Sequence, residues 1–228
     1  NMEEPPVKYE PPKVLSDEEL VALFTATKEI EIPATPREVE DQYIKIAGFG
    51  GQGVMSAGVF LANCAIKEGF NSTWLPSYGP EMRGGTANAS VIISNNQIGT
   101  PLVSSPNVLI AMNAPSLDTF EETVVPGGLV IVNSSLVPRK LKREDVQVIY
   151  APVTEIAKDV GLIAAASVVA LTLYACVSGV VQIETIEKVI PLSLKKKALV
   201  DVNLKAVEAA VEYYQKNLKE EYSYSTQR

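Results

Sequence analysis

The chain predicts an α/β fold: a Rossmann-like, doubly wound, mainly parallel sheet with a β-hairpin insertion and C-terminal helices. Three observations carry this. An alternating apolar strand from Tyr43 runs into a glycine-dense turn, and a helix striped by Val54, Ala57, Leu61, Ala62 and Ala65 follows without a break. Short continuous apolar runs, Val108–Met112 and Leu129–Val132, have the character of strands buried on both faces. Strands of this kind alternate with helical patterns, as βαβ units do.

Taken in order, Asn1 to Lys13 holds four prolines among charged residues and has little to bury, so it is expected to be extended. Ser16 and Glu19 have capping-box spacing, and Leu20, Leu23 and Phe24 stripe a short helix to about Lys28. Ile30 to Asp41, with Pro33 and Pro36, reads as a linker. Residues 1–41 therefore form an arm too small to fold alone, and the main domain spans residues 42–228.

The first strand and helix lead to a second strand, Asn71 to Leu75, and a loop from Pro76 to Gly85. Ala87 to Ser94 reads as a strand, turned at Asn95-Asn96 into a hairpin with Gln97 to Gly99. Helix Ala114–Val124 carries Pro115 in its first turn, where a missing N–H costs nothing. Pro126-Gly127-Gly128 turns into the strand from Leu129, and Val146–Tyr150 is a further strand. Helices follow at Val153–Val160, Ala165–Ser178, Ile183–Val189 and Lys196 to about Leu218.

Gly48, Gly50 and Gly53 satisfy G-x-G-x-x-G between a strand and a helix, the context that gives the pattern meaning. Such a turn brings backbone close to an anion, and unpaired N–H groups at the helix start point at it. A conventional dinucleotide site also wants an acidic side chain about 20 residues on, at the end of the second strand. Glu68 comes too early and Glu81 lies beyond the strand, so an ordinary NAD site is disfavoured. A bare strand-to-helix corner with no ligand is the plain alternative.

Composition narrows the chemistry. The chain is 46% apolar and 21% charged with a net charge of −7, an ordinary globule without the basic footprint that nucleic acid requires. It has no histidine, so it supplies no Ser-His-Asp triad, histidine base or histidine ligand. Its two cysteines, Cys64 and Cys176, lack the clustered spacing of zinc or iron–sulfur ligation and fit a reducing, cytoplasmic setting. Gly161 to Val181 is uncharged and long enough to span a bilayer, but its glycines, serines and alanines suit a helix buried on a sheet.

The loop Ser77-Tyr78-Gly79-Pro80-Glu81-Met82-Arg83-Gly84-Gly85 leaves the second strand at the same sheet edge as the glycine turn. Arg83 suits bidentate contact with phosphate or carboxylate, Glu81 is able to hold it, and Tyr78 offers a ring and a hydroxyl. A surface loop with an internal Glu81–Arg83 pair is the alternative.

Gly48-Phe49-Gly50-Gly51-Gln52-Gly53, the Ser77–Gly85 loop and Pro126-Gly127-Gly128-Leu129-Val130-Ile131-Val132-Asn133-Ser134-Ser135-Leu136 together resemble the gamma subunit of 2-oxoacid:ferredoxin oxidoreductases. The likeness runs from about Tyr43 to Leu218 and leaves residues 1–41 outside. It implies oxidative decarboxylation of a 2-oxoacid to acyl-CoA and CO₂ with reduction of ferredoxin. It also implies alpha, beta and delta-type partner subunits that carry thiamine diphosphate, Mg²⁺ and [4Fe–4S] clusters. No nucleic acid or membrane partner is implied. Carried over by position, Gly50, Gly51, Gln52 and Gly53 would meet the phosphates of coenzyme A, with Tyr78, Glu81 and Arg83 lining the same cleft. No catalytic residue or metal ligand is expected on this chain. The sequence departs from the family near Ala164 to Val168, where alanines stand in the region of a common asparagine. Two other classes remain: a stand-alone nucleotide-sensing module, and a purely structural subunit.

Overall fold

The computed structural model describes residues 37–78, 86–194 and 197–222. Its strands are β1 (Gln42–Phe49), β2 (Asn71–Tyr78), β3 (Thr86–Ser94), β4 (Val108–Ala111), β5 (Leu129–Asn133) and β6 (Gln147–Ala151). They form one six-stranded sheet in the order β2-β3-β1-β4-β5-β6. β1, β4, β5 and β6 run parallel, whereas β3 is antiparallel to both β1 and β2. The described helices are α1 (Val54–Lys67), α2 (Ala114–Phe120), α3 (Val153–Asp159), α4 (Ala166–Ser178), α5 (Ile183–Ser193) and α6 (Lys197–Asn217). The capping box at Ser16, the loop around Glu81 and Arg83, and Lys195-Lys196 lie outside the described residues.

Side-chain alternation sorts the parallel strands into two cores. Ile44, Ile46, Ile110, Ile131 and Ile149 face α1, α4 and the buried stripe of α6. Leu109, Ala111, Val130 and Val132 face the other way, toward Leu117 of α2. This is why β4 and β5 read as unbroken apolar runs: every residue of each is buried. The uncharged stretch around α4 is spent in the first core, where Leu171, Leu173 and Tyr174 are almost fully buried. The Tyr174 hydroxyl donates to Gln42 Oε1 at 3.1 Å, so the one polar atom of that ring is satisfied. Among the described residues no helix is long and apolar enough to cross a membrane.

Two local expectations are corrected. No strand forms at Gln97–Gly99. The hairpin is instead β2–β3, eight residues paired from Asn71↔Ser94 to Tyr78↔Ala87. The Asn95 side chain is occupied elsewhere: its Oδ1 accepts from the Val39 N–H and its Nδ2 donates to the Arg37 carbonyl, both at distances under 3 Å. That clamp fastens the incoming chain to the end of β3. Arg37 continues it, donating to the carbonyls of Gly179 and Val180 and to Glu68 Oε2. The second strand also runs past Leu75 to Tyr78. Pro76 is tolerated because β2 is an edge strand, where one lost ladder bond is cheap.

α1 lies on the hairpin through a close contact. A Cβ built on Gly58 would meet the Trp74 indole at 2.6 Å and the Ala89 Cβ at 2.8 Å. Replacing glycine by alanine inside a helix ordinarily gains up to about 1 kcal/mol. Here the overlap dominates, and Gly58→Ala is expected to destabilise by about 1–3 kcal/mol, read as a lower urea midpoint at unchanged slope.

Candidate functional site

The glycine turn joins the carboxyl end of β1 to α1. Its corner closes when the Gln52 N–H donates to the Phe49 carbonyl at 3.1 Å. Gly51 at φ 96° and Gly53 at φ 74° occupy left-handed conformations that L side chains rarely adopt. Gly53 is the N-cap of α1 and provides no side-chain cap. The first backbone bond of the helix is Ala57 N–H to the Gly53 carbonyl, 2.8 Å. The N–H groups of Gly50, Gly51, Gly53, Val54, Met55 and Ser56 find no acceptor among the described residues. Helix starts of this kind attract anions through unpaired donors and the macrodipole together. Among the described residues a Cβ built on Gly50 or Gly51 would meet nothing within 4 Å.

Gln52 is placed differently from the glycines. Its Oε1 accepts from the Phe49 N–H at 2.6 Å and from Asn113 Nδ2 at 2.9 Å. The side chain is turned into the protein, not toward the open side of the turn. Gly48 makes room for it: a Cβ there would lie 2.7 Å from Gln52 Oε1. The same amide bonding runs along the sheet edge. Asn133 Nδ2 donates to the Met112 carbonyl at 3.1 Å and to Thr154 Oγ1 at 2.8 Å. Asn113 also caps α2, accepting from the Ser116 N–H at 2.9 Å. Asn113 and Asn133, 2% and 1% exposed, were not among the residues expected at the site. The N-cap signal of Asn113 ahead of Pro115 was available in the sequence, but the cross-strand bonds were not.

The edge is also where the chain reverses order: β1 leads through α1 to one side of the sheet, and β4 begins the other side. Ligands of open α/β sheets sit at such a switch point. Tyr78 ends β2 opposite Ala87, which is itself opposite Gly48. The carboxyl ends of β1 and β2 are thus at one edge, about 10 Å apart across the intervening strand. Glu81 and Arg83 lie between Tyr78 and Thr86, outside the described residues. β2 itself carries no acidic residue, and the neighbour of β1 on that side is the antiparallel β3, so the ribose-binding arrangement of a dinucleotide fold is not built here.

Burial pushes the Cys64 thiol well above its ordinary value, and it lifts Cys176 to about 11, so both stay protonated at neutral pH. Among the described residues no group of three His, Cys, Asp or Glu side chains is placed to hold a metal ion.

A Rossmann-related domain with a donor-lined, glycine-built cradle at its switch point is the class these features define. Residues 43–213 match the family described as pyruvate ferredoxin/flavodoxin oxidoreductase. The chain is 39% identical over 193 residues to ketoisovalerate oxidoreductase subunit VorA of Methanothermobacter marburgensis, covering 83% of this chain and 40% of that protein. It is 34% identical to the solved gamma subunit of keto/oxoacid ferredoxin oxidoreductase from Geobacter sulfurreducens, covering 77% of this chain and 99% of that one at a TM-score of 0.67. It shares its fold, at 21% identity and a TM-score of 0.70, with a Magnetococcus marinus 2-oxoglutarate:ferredoxin oxidoreductase solved with 2-oxoglutarate, coenzyme A and succinyl-CoA bound. That match covers 78% of this chain and 32% of the larger one. The chain belongs to the pyruvate ferredoxin/flavodoxin oxidoreductase family, and one of its solved relatives is a gamma subunit.

Removing the Gln52 amide would leave the Phe49 N–H and Asn113 Nδ2 without their acceptor. Gln52→Ala is therefore expected to cost about 1–3 kcal/mol, lowering Tm by about 2–4 °C for each kcal/mol in a thermal melt.

Proposed function

We propose that this chain is the gamma part of a 2-oxoacid:ferredoxin oxidoreductase and holds coenzyme A while the acyl group is captured. The observation that carries the proposal is the row of unclaimed N–H groups on the open side of the Gly50–Gly53 turn. Those donors suit the diphosphate of a thiol carrier, and they lie at the sheet edge where β2 also ends. Gly50, Gly51 and Gly53 serve through the backbone, Arg83 through its guanidinium, and Tyr78 and Glu81 by shaping the second loop. Gln52 serves by holding the turn.

Thiamine diphosphate with Mg²⁺ and the [4Fe–4S] clusters belong, in this reading, to alpha, beta and delta-type partners, and ferredoxin accepts the electrons in the cytoplasm. Thiamine diphosphate supplies the carbanion chemistry of decarboxylation. This chain contributes position: a thiol held beside the acyl donor reacts in an effectively unimolecular step. No general acid, base or nucleophile of its own is needed for that. The neighbour solved with coenzyme A shares the fold alone, so the reading rests on the family and on this turn.

Gly50 offers a clean test because a Cβ built there would meet nothing within 4 Å among the described residues. In the purified complex, Gly50→Val should assemble normally yet raise the KM for coenzyme A by about tenfold or more, the value of one or two hydrogen bonds to an anion. Coenzyme A kinetics unchanged in that variant would make the turn a structural corner only. Arg83→Ala is expected to raise the same KM while 2-oxoacid-dependent CO₂ exchange continues, which steady-state and isotope-exchange assays would separate.

A further inference from the structure

α1 carries no charge along most of the side it turns outward. Val54, Ala57, Leu61, Cys64 and Ala65 are buried, which leaves Met55, Ser56, Val59, Asn63 and Ile66 on the other side. Spaced by three or four residues, these five share one face about 17 Å long. Val59 and Ile66 are 38% and 40% exposed, and Met55 is half-buried. The only charged residue of the helix is Lys67, its last.

Two neighbouring helices show the contrast. α6 exposes Asp201, Lys205, Glu208, Glu212 and Lys216, and α5 exposes Glu184, Glu187 and Lys188. Charged outward positions are the ordinary state of a surface helix, since they hold water and discourage chance contacts. Valine and isoleucine at such positions forfeit helix propensity relative to alanine or lysine and bury nothing in return. Missing charge and exposed β-branched residues together describe a face that another polypeptide covers.

Chain length among the relatives points to that polypeptide. This domain covers 99% of the Geobacter sulfurreducens gamma subunit but only 40% of Methanothermobacter marburgensis VorA, so more than half of VorA lies beyond the match. Covalent attachment holds the matched domain of VorA beside the remainder at high effective concentration. A gamma subunit made as its own chain has no such tether, and a complementary surface must replace it.

We infer that the outward face of α1 is a docking surface for a subunit related to the part of VorA that this chain does not match. Val59 and Ile66 are its apolar anchors, and Ser56 and Asn63 its uncharged hydrogen-bonding groups. The inference rests on the reading of this chain as one subunit of an oxidoreductase complex.

The test purifies the complex through a tag on this chain and identifies the partners by mass spectrometry. Wild type should recover a subunit whose sequence aligns with the unmatched part of VorA. Val59→Glu and Ile66→Glu should each raise the dissociation constant for that subunit by about tenfold or more, as a carboxylate set into an apolar contact does. Tm of the chain should stay unchanged, because both positions are exposed, and Gln215→Glu on the charged face of α6 should bind as wild type. Wild-type affinity in both α1 variants, or equal weakening in Gln215→Glu, overturns the surface and leaves the subunit reading standing. A wild-type chain that recovers no such subunit overturns both. A dimer of the isolated chain that Val59→Glu dissociates, with partner binding unchanged, assigns the face to a second copy and overturns the inference. Where a variant lowers Tm, hydroxyl-radical labelling of the unmutated protein decides: Val59 and Ile66 should be labelled less in the complex than in the free chain, and equal labelling overturns the inference.

Discussion

The geometry of the switch point depends on one half-buried carboxamide. Gln52 Oε1 takes two donors at once, the Phe49 N–H from its own strand end and Asn113 Nδ2 from the end of β4. An acceptor shared in this way ties the glycine turn to the neighbouring strand, and it does so without a charge. A charged group in its place would carry a desolvation cost that these amides avoid. Among the described residues the tie leaves the N–H groups of the turn without an acceptor, the condition for meeting an anion.

The bond does not stand alone. Asn133 reaches from β5 to the Met112 carbonyl and to Thr154 beyond β6, so neighbouring strand ends are joined by uncharged side chains across the parallel half of the sheet. At the opposite, amino edge the protein uses a guanidinium instead. Arg37 binds Glu68 and two carbonyls at the α4–α5 turn, while Asn95 holds the backbone on either side of Glu38. The amino edge is fastened by a charged strap, whereas the bonds made by Gln52, Asn113 and Asn133 at the carboxyl edge are uncharged.

Insertion of β3 between β2 and β1 has a functional consequence of its own. A dinucleotide fold sets its second parallel strand beside the first and reads a ribose from that strand's end. Here an antiparallel strand occupies the place, and β2 is pushed out to the sheet edge while still ending level with the glycine turn. The space that would hold a ribose beside β1 is instead bounded by the ends of a hairpin. The fold thus keeps the glycine corner of its class and sets an antiparallel strand where a dinucleotide fold has its second parallel one.

Much of this was legible in the residues themselves. Glycine spacing, apolar alternation and helical stripes are local signals, because turn conformation and side-chain periodicity depend on near neighbours. They were sufficient for the strand–turn–helix unit, the doubly buried strands and the burial of α4. Which partner each side chain finds is a different matter. Gln52 and Asn113 are 61 residues apart, and Arg37 meets Val180 across 143. Pairings at such separation are chosen by the packing of the whole sheet, whose free energy is spread over two cores and leaves no mark on any short stretch. Tertiary structure alone therefore decided that Gln52 turns inward and that Asn95 clamps the incoming chain instead of turning a hairpin.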